Sequence, residues 1–130
     1  MKGMSVRLGL LLAALVMALA ACGGGGAAPT KSTIPAGDAT KGAQVFAGTC
    51  SACHGPDAKG LPGLGKDMTI STFIKGLSDD DFIKFLKVGR PTSDKLSTTG
   101  VDMPPKGGNP ALTDQDLANV IAYIRTLNKP

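Results

Sequence analysis

The chain has 130 residues with 14 basic and 10 acidic side chains, a formal net charge of +4. Its lysines are scattered, its aromatic residues make up 4% of the chain and Trp is absent. It therefore lacks the dense basic run and interleaved rings of a nucleic-acid binder. A single histidine, His54, excludes any site that needs two imidazoles from one chain.

The N-terminus reads as a targeting segment. Lys2 and Arg7 form a short basic start, and Leu8 to Ala21, LGLLLAALVMALAA, is apolar without a break. That stretch falls short of the roughly 20 residues needed to cross a bilayer and matches the apolar core of a secretory signal. It ends in LAAC, Leu19 to Cys22, which resembles the lipobox of bacterial lipoproteins. The resemblance implies a signal peptide over 1–21 that is cut before Cys22, with lipid on that cysteine. An ordinary secretory signal and an uncleaved anchor are the competing readings. One acyl chain holds a membrane weakly, so firm anchoring implies multiple acylation. Losing Lys2 and Arg7 would leave a net charge of +2. Lipid on Cys22 would also leave Cys50 and Cys53 as a pair, exported into an oxidising compartment.

Residues 22–37, opening CGGGGAAPTK, show no apolar periodicity and read as a flexible tether. Such a chain reaches about 20 Å. The folded domain is then 38–130, near the lower size limit for a self-sufficient core. Only Phe46, Phe73, Phe82, Phe85 and Tyr123 supply rings, so a large apolar cofactor is expected to help fill its centre.

Three helices are predicted within it. DATKGAQVFAGTC opens on Asp38 as N-cap, with Ala43, Val45 and Phe46 as apolar contacts. SDDDFIKFLKVG is capped by Ser78, carries Asp79 to Asp81 in the turn where the helix dipole favours anions, and stops at Gly89. Its Phe82, Phe85 and Leu86 share one face. TDQDLANVIAYIRTLN has a capping box in Thr113 and Asp116, and repeats Leu117, Val120, Ile121 and Ile124 at helical spacing. A fourth, weakly signalled helix falls around residues 69–76, and no strand is predicted. The remaining stretches are long loops for so small a domain, which suggests that they wrap something.

CSACH, Cys50 to His54, follows the first helix. A structural zinc needs four ligands in two clusters, and no second cluster exists. A thioredoxin-like redox pair sits at a strand-to-helix junction, and no strand is predicted; a plain disulfide leaves His54 unexplained. C-x-x-C-H is the attachment motif for c-type haem: both thiols add to the porphyrin vinyl groups and the imidazole becomes an axial ligand. Covalently bound haem c, on Cys50, Cys53 and His54, gives every one of these residues a task.

With this motif, the domain resembles a class I monohaem cytochrome c over nearly all of 38–130. The resemblance implies an all-α domain of three to four helices and long loops around one haem, with the first and last helices crossing. Gly42 and Phe46 match the family's glycine and aromatic before the motif, and Val120 and Tyr123 their expected partners. A mid-helix glycine costs about 1 kcal/mol, and close crossing of two helices explains Gly42.

With no second histidine, methionine is the remaining donor, and Met68 and Met103 lie beyond the signal. Met103, in VDMPP, stands where the family places its sixth ligand, and Pro104 and Pro105 would stiffen it. Met68 follows His54 too closely to reach the opposite face. The competing reading for Met103 is a loop methionine packed on the haem edge beside open or water-bound iron. The family also implies a proline carbonyl bonded to the axial imidazole, for which Pro62 is the candidate; the competing reading is that Pro62 merely shapes the turn. Arg90 suits a haem propionate, or is simply solvated.

Methionine–histidine ligation saturates the iron and suits electron transfer rather than gas or peroxide chemistry. The expected function is a tethered one-electron shuttle, not an enzyme, on the outer face of a bacterial membrane. It would run between a quinol-oxidising complex and a terminal oxidase, reductase or photosynthetic reaction centre. The chain is expected to be monomeric and to dock transiently, with Lys59, Lys66 and Lys106 rimming the haem edge. The alternatives are a fixed haem subunit of one such complex, and a haem enzyme or gas sensor with open coordination.

Overall fold

In a computed structural model the structure describes residues 34–130. The signal segment, Cys22 and most of the tether lie outside the described residues.

The described chain is helical and contains no strand, as expected for the all-α fold. Helix α1, Ala39–Val45, begins at Asp38, whose carboxylate accepts from the Thr40 and Lys41 N–H groups at 2.8 and 3.1 Å. It passes into a wider π-type turn, Phe46–Cys50, and then into α2, Ser51–His54. The widening was not legible in the sequence, and such π turns frequently mark functional sites. The short α3, Thr72–Gly76, is capped by Ser71. Helix α4, Asp79–Val88, is capped by Ser78 and ends at Gly89 (φ 76°). Helix α5, Asp114–Leu127, carries the full Thr113–Asp116 capping box.

The core gathers on α5. Phe46, Phe82, Leu117, Val120, Ile121 and Ile124 are essentially fully buried. Helix α1 crosses α5 so closely that a Cβ on Gly42 would overlap the Asn119 carbonyl and lie 2.9 Å from the Tyr123 Cβ. Above this contact the Phe46 and Tyr123 rings meet at 5.4 Å. The expected glycine–aromatic crossing is present, with the Asn119 backbone, rather than the Val120 side chain, filling the place against Gly42.

Three sets of long-range polar ties were missed from sequence. Buried Asn119 accepts from the Asp38 N–H at 2.9 Å and from the Gln115 amide at 3.0 Å. The same amide donates to the Ala36 carbonyl, and Gly37 packs on Ala118. The packed chain therefore begins ahead of Asp38, and the last residues assigned to the tether already lie on α5. The Arg125 guanidinium donates to the Ile74 and Leu77 carbonyls at 2.6 Å each and to Asp79. That single side chain fastens α3 and the start of α4 to α5. Asn128 donates to the Met68 and Ser71 carbonyls, closing the C-terminus over the same segment.

Candidate metal centre

A cavity of about 400 Å³ opens between the Cys50–Met68 segment, helices α3 and α4, and the loop that ends at Met103, with α5 as its floor. Cys50, Cys53, His54, Met103 and Arg90 all line it. Residues chosen from sequence stretches some 50 positions apart are thus brought to one space.

On the CSACH side, helical geometry does the positioning. Cys50, Cys53 and His54 stand at i, i+3 and i+4 and so share one face. Gly55 (φ 74°) then turns the chain away, and Gly60 N–H and Leu61 N–H return to the His54 and Cys53 carbonyls at 2.8 and 3.0 Å. The imidazole Nδ1 meets the Lys66 carbonyl at 2.9 Å. A carbonyl can only accept, so Nδ1 carries the hydrogen and Nε2 keeps its lone pair for a metal. Burial holds the His54 pKa below its ordinary value, opposed by that backbone bond, so the ring is neutral at pH 7.

The carbonyl partner is Lys66 and not Pro62, a correction with a local cause. The Leu61 carbonyl accepts from Leu64 and Gly65, which folds 61–65 into turns with exposed Pro62 at their outside. Gly65 then passes against Cys53 and the ring itself, where a Cβ would stand 3.0 Å from Nδ1. The chain first presents a carbonyl to the imidazole one residue later.

Burial, with the charge of Cys53 beside it, pushes the Cys50 thiol up to about 11. Redox-active C-x-x-C pairs do the opposite, lowering a thiol to favour the thiolate. Cys50 and Cys53 are not joined to each other as a disulfide. Among the described residues no three His, Cys, Asp or Glu side chains gather as a metal-ion cluster.

Across the cavity, Met103 is half-buried and its backbone pairs with that of Arg90, N–H to O in both directions, at 2.9 and 2.8 Å. Arg90 is not a solvated side chain: it is 11% exposed, with Nε 3.2 Å from Asp94. Its guanidinium lies over the rings of Phe73 (4.4 Å) and Phe85 (4.9 Å). The Asp94 partner was not anticipated, although its i+4 spacing was available. Met68, the other methionine, also lines the cavity, but it is 5% exposed and packs in the core.

Of the three lysines expected at the rim, Lys66 donates to the Leu96 carbonyl at 2.6 Å, tying the two loops across the cavity. Lys106 donates to the Pro110 and Leu112 carbonyls, which accompanies its left-handed backbone (φ 53°) in the Pro105–Gly108 turn. Lys59 stands 3.7 Å from Asp57.

The residues fit a haem. The cavity offers two thiols, one neutral imidazole and two thioethers, Met68 and Met103, among mainly apolar walls. Leu64, Ile70, Leu96 and Val101 line it yet are exposed, Ile70 by 64%, and a flat apolar group bound there would cover them. A helical domain built around such a space is that of a c-type haem protein. The cytochrome c family model matches residues 39–128, and the chain belongs to that family. It is an electron-transfer cytochrome whose cofactor is covalently attached haem c.

Cytochrome c-555 of Chlorobaculum thiosulfatiphilum is 32% identical over 88 residues, covering 67% of this chain and 93% of that protein. Cytochrome c6 of Picosynechococcus sp. is 37% identical over 91 residues, 68% of this chain and 73% of the relative. The cbb3-type cytochrome c oxidase subunit CcoP of Rhodobacter capsulatus is 30% identical over 90 residues, 68% of this chain but only 29% of that subunit. No solved structure matches.

Proposed function

We propose that this cytochrome c is a one-electron shuttle held by lipid on Cys22 to the outer face of a bacterial membrane. It takes electrons from a quinol-oxidising complex and delivers them to a terminal oxidase, a reductase or a photosynthetic reaction centre. Bound haem supplies the one-electron chemistry. Cys50 and Cys53 would hold it through thioethers, and His54 and Met103 would be the donors to its iron. The Lys66 carbonyl orients the His54 ring, and Arg90 supplies a cation beside the propionates. The observation that carries the reading is the presence of the His54 imidazole and the Met103 thioether on the same cavity. Iron held by both donors would change charge with little rearrangement and would offer no open place for a substrate, which supports an electron carrier rather than an enzyme. The tether raises the local concentration of the carrier at its partners without fixing its orientation.

The kinship with CcoP, named as an oxidase subunit, favours a second reading in which the domain serves as a fixed subunit of one membrane complex.

The test is an optical spectrum of the mature protein. The oxidised form is expected to show the far-red charge-transfer band of a methionine–iron(III) bond, and carbon monoxide should leave the reduced form unchanged. Replacing Met103 but not Met68 should abolish the band. Ready carbon monoxide binding by the unaltered protein would refute the shuttle and point to a haem enzyme or gas sensor. Cys22→Ala should release the protein from membranes. Co-purification with an oxidase after detergent extraction would favour the fixed subunit.

A further inference from the structure

The described chain holds Met103 by an unusual device. Pro104 and Pro105 have no N–H to give, so the ligand loop cannot be fastened by donors on its C-terminal side. It is fastened instead through Met103's own peptide groups, both of which pair with Arg90. The adjoining Thr92 N–H donates to the Asp102 carboxylate and ties the neck of the loop beside that pairing. Arg90 is immobilised in turn, stacked on Phe73 and Phe85 and bonded to Asp94. Between Arg90 and the end of α4 stands Gly89, whose φ of 76° disfavours any side chain. A Cβ at Gly89 would overlap the Met103 carbonyl oxygen and come within 2.9 Å of Pro104 and 3.0 Å of Pro105.

We propose that Gly89 and Arg90 are the positioning residues of the axial methionine. Gly89 lets the Met103 peptide lie directly against the end of α4, and Arg90 locks its height. The thioether position is thereby set by a helix packed on the core, not by the exposed loop over 91–102. This rests on Met103 being the axial donor.

The test compares haem-loaded wild type, Gly89→Ala and Arg90→Leu. Imidazole added to the oxidised protein binds only when the methionine is off. Its apparent affinity therefore reports the detached fraction. In both variants the far-red band should weaken, and imidazole should bind at least about tenfold more tightly, while far-UV circular dichroism at 25 °C remains that of the folded wild type. A merely structural role would lower the unfolding midpoint and leave the band and imidazole affinity of the folded protein unchanged; that result overturns the proposal. Should Gly89→Ala fail to fold, Arg90→Leu decides by the same readings. Met103→Ala separates the two levels of argument. If it leaves the wild-type spectrum intact, the ligand assignment itself is wrong, and the positioning role falls with it.

Discussion

Gly42 offers a sharp test of what holds the domain together, because two opposing effects meet there. Replacing a mid-helix glycine by alanine ordinarily gains up to about 1 kcal/mol through helix propensity. Here the added methyl would overlap the Asn119 carbonyl and lie 2.9 Å from the Tyr123 Cβ. Both obstacles belong to the body of α5, so no side chain can rotate out of the way. Moving α5 would also pull Asn119 from the Asp38 N–H that it accepts at 2.9 Å. Overpacking of this kind costs about 1–3 kcal/mol, and rigid backbone obstacles put Gly42→Ala at the upper end. A net loss of about 2 kcal/mol corresponds to a melting point lower by about 10 °C for a domain of this size. Gly48 is the internal control, helical and exposed, where an added methyl would meet nothing within 4 Å. Gly48→Ala should be neutral or stabilising by up to about 1 kcal/mol. The assay is thermal unfolding of the haem-loaded proteins followed by circular dichroism. A Gly42→Ala protein that melts with or above Gly48→Ala would refute the close-crossing account.

Two further outcomes follow from polar contacts. Arg125→Ala leaves the Ile74 and Leu77 carbonyls without their donor and should cost about 2–3 kcal/mol; Arg125→Lys, lacking the planar fork, should recover little of it in urea unfolding. The Asp67, Asp81 and Asp116 carboxyls are held below their ordinary pKa, first of all by hydrogen bonds from the Thr69, Ser78 and Thr113 hydroxyls. Carboxyls depressed by folding stabilise the fold above their unfolded pKa and cease to do so as pH falls through the folded value. Stability should therefore decline below about pH 4, and an acid limb equally steep in the triple Asp→Asn variant would contradict this.

The sequence was most informative where the physics is local. Asp38, Ser78 and Thr113 cap their helices because a cap is decided within three or four residues. Cys50, Cys53 and His54 fall on one face for the same reason. Gly42 was legible through its penalty, since a costly residue needs a cause. What escaped was decided by distant chain. Helix α3 gave a faint signal because it owes its place to Arg125 and Asn128, about 50 residues or more away. Asn119 reads as an indifferent polar residue on a helix until Asp38 and Gln115 are seen beside it. The choice of Lys66 over Pro62 depends on how tightly 61–65 turns before Gly65 reaches the ring. No spacing in GLPGLGK encodes that closure.

The two proposed axial residues are held by different kinds of structure, and this sets the order in which they should fail. His54 lies in a helical turn, and its own carbonyl and that of Cys53 are bonded by Gly60 and Leu61. The following segment is locked by Met68 N–H to the Ala58 carbonyl at 2.8 Å and by Asn128. Met103 depends on the Arg90 pairing and on the loop over 91–102, which contains no helix. Segments with few buried contacts open locally at less free energy than the core. In a urea titration at neutral pH the far-red methionine band should therefore disappear at a lower concentration than the helical circular dichroism signal. Histidine ligation, by the same reasoning, should persist until the helices unfold. Loss of the band and the helices at one common midpoint would mean that the ligand loop is part of the same cooperative unit as α5. The contrast drawn between the two sides of the cavity would then be wrong.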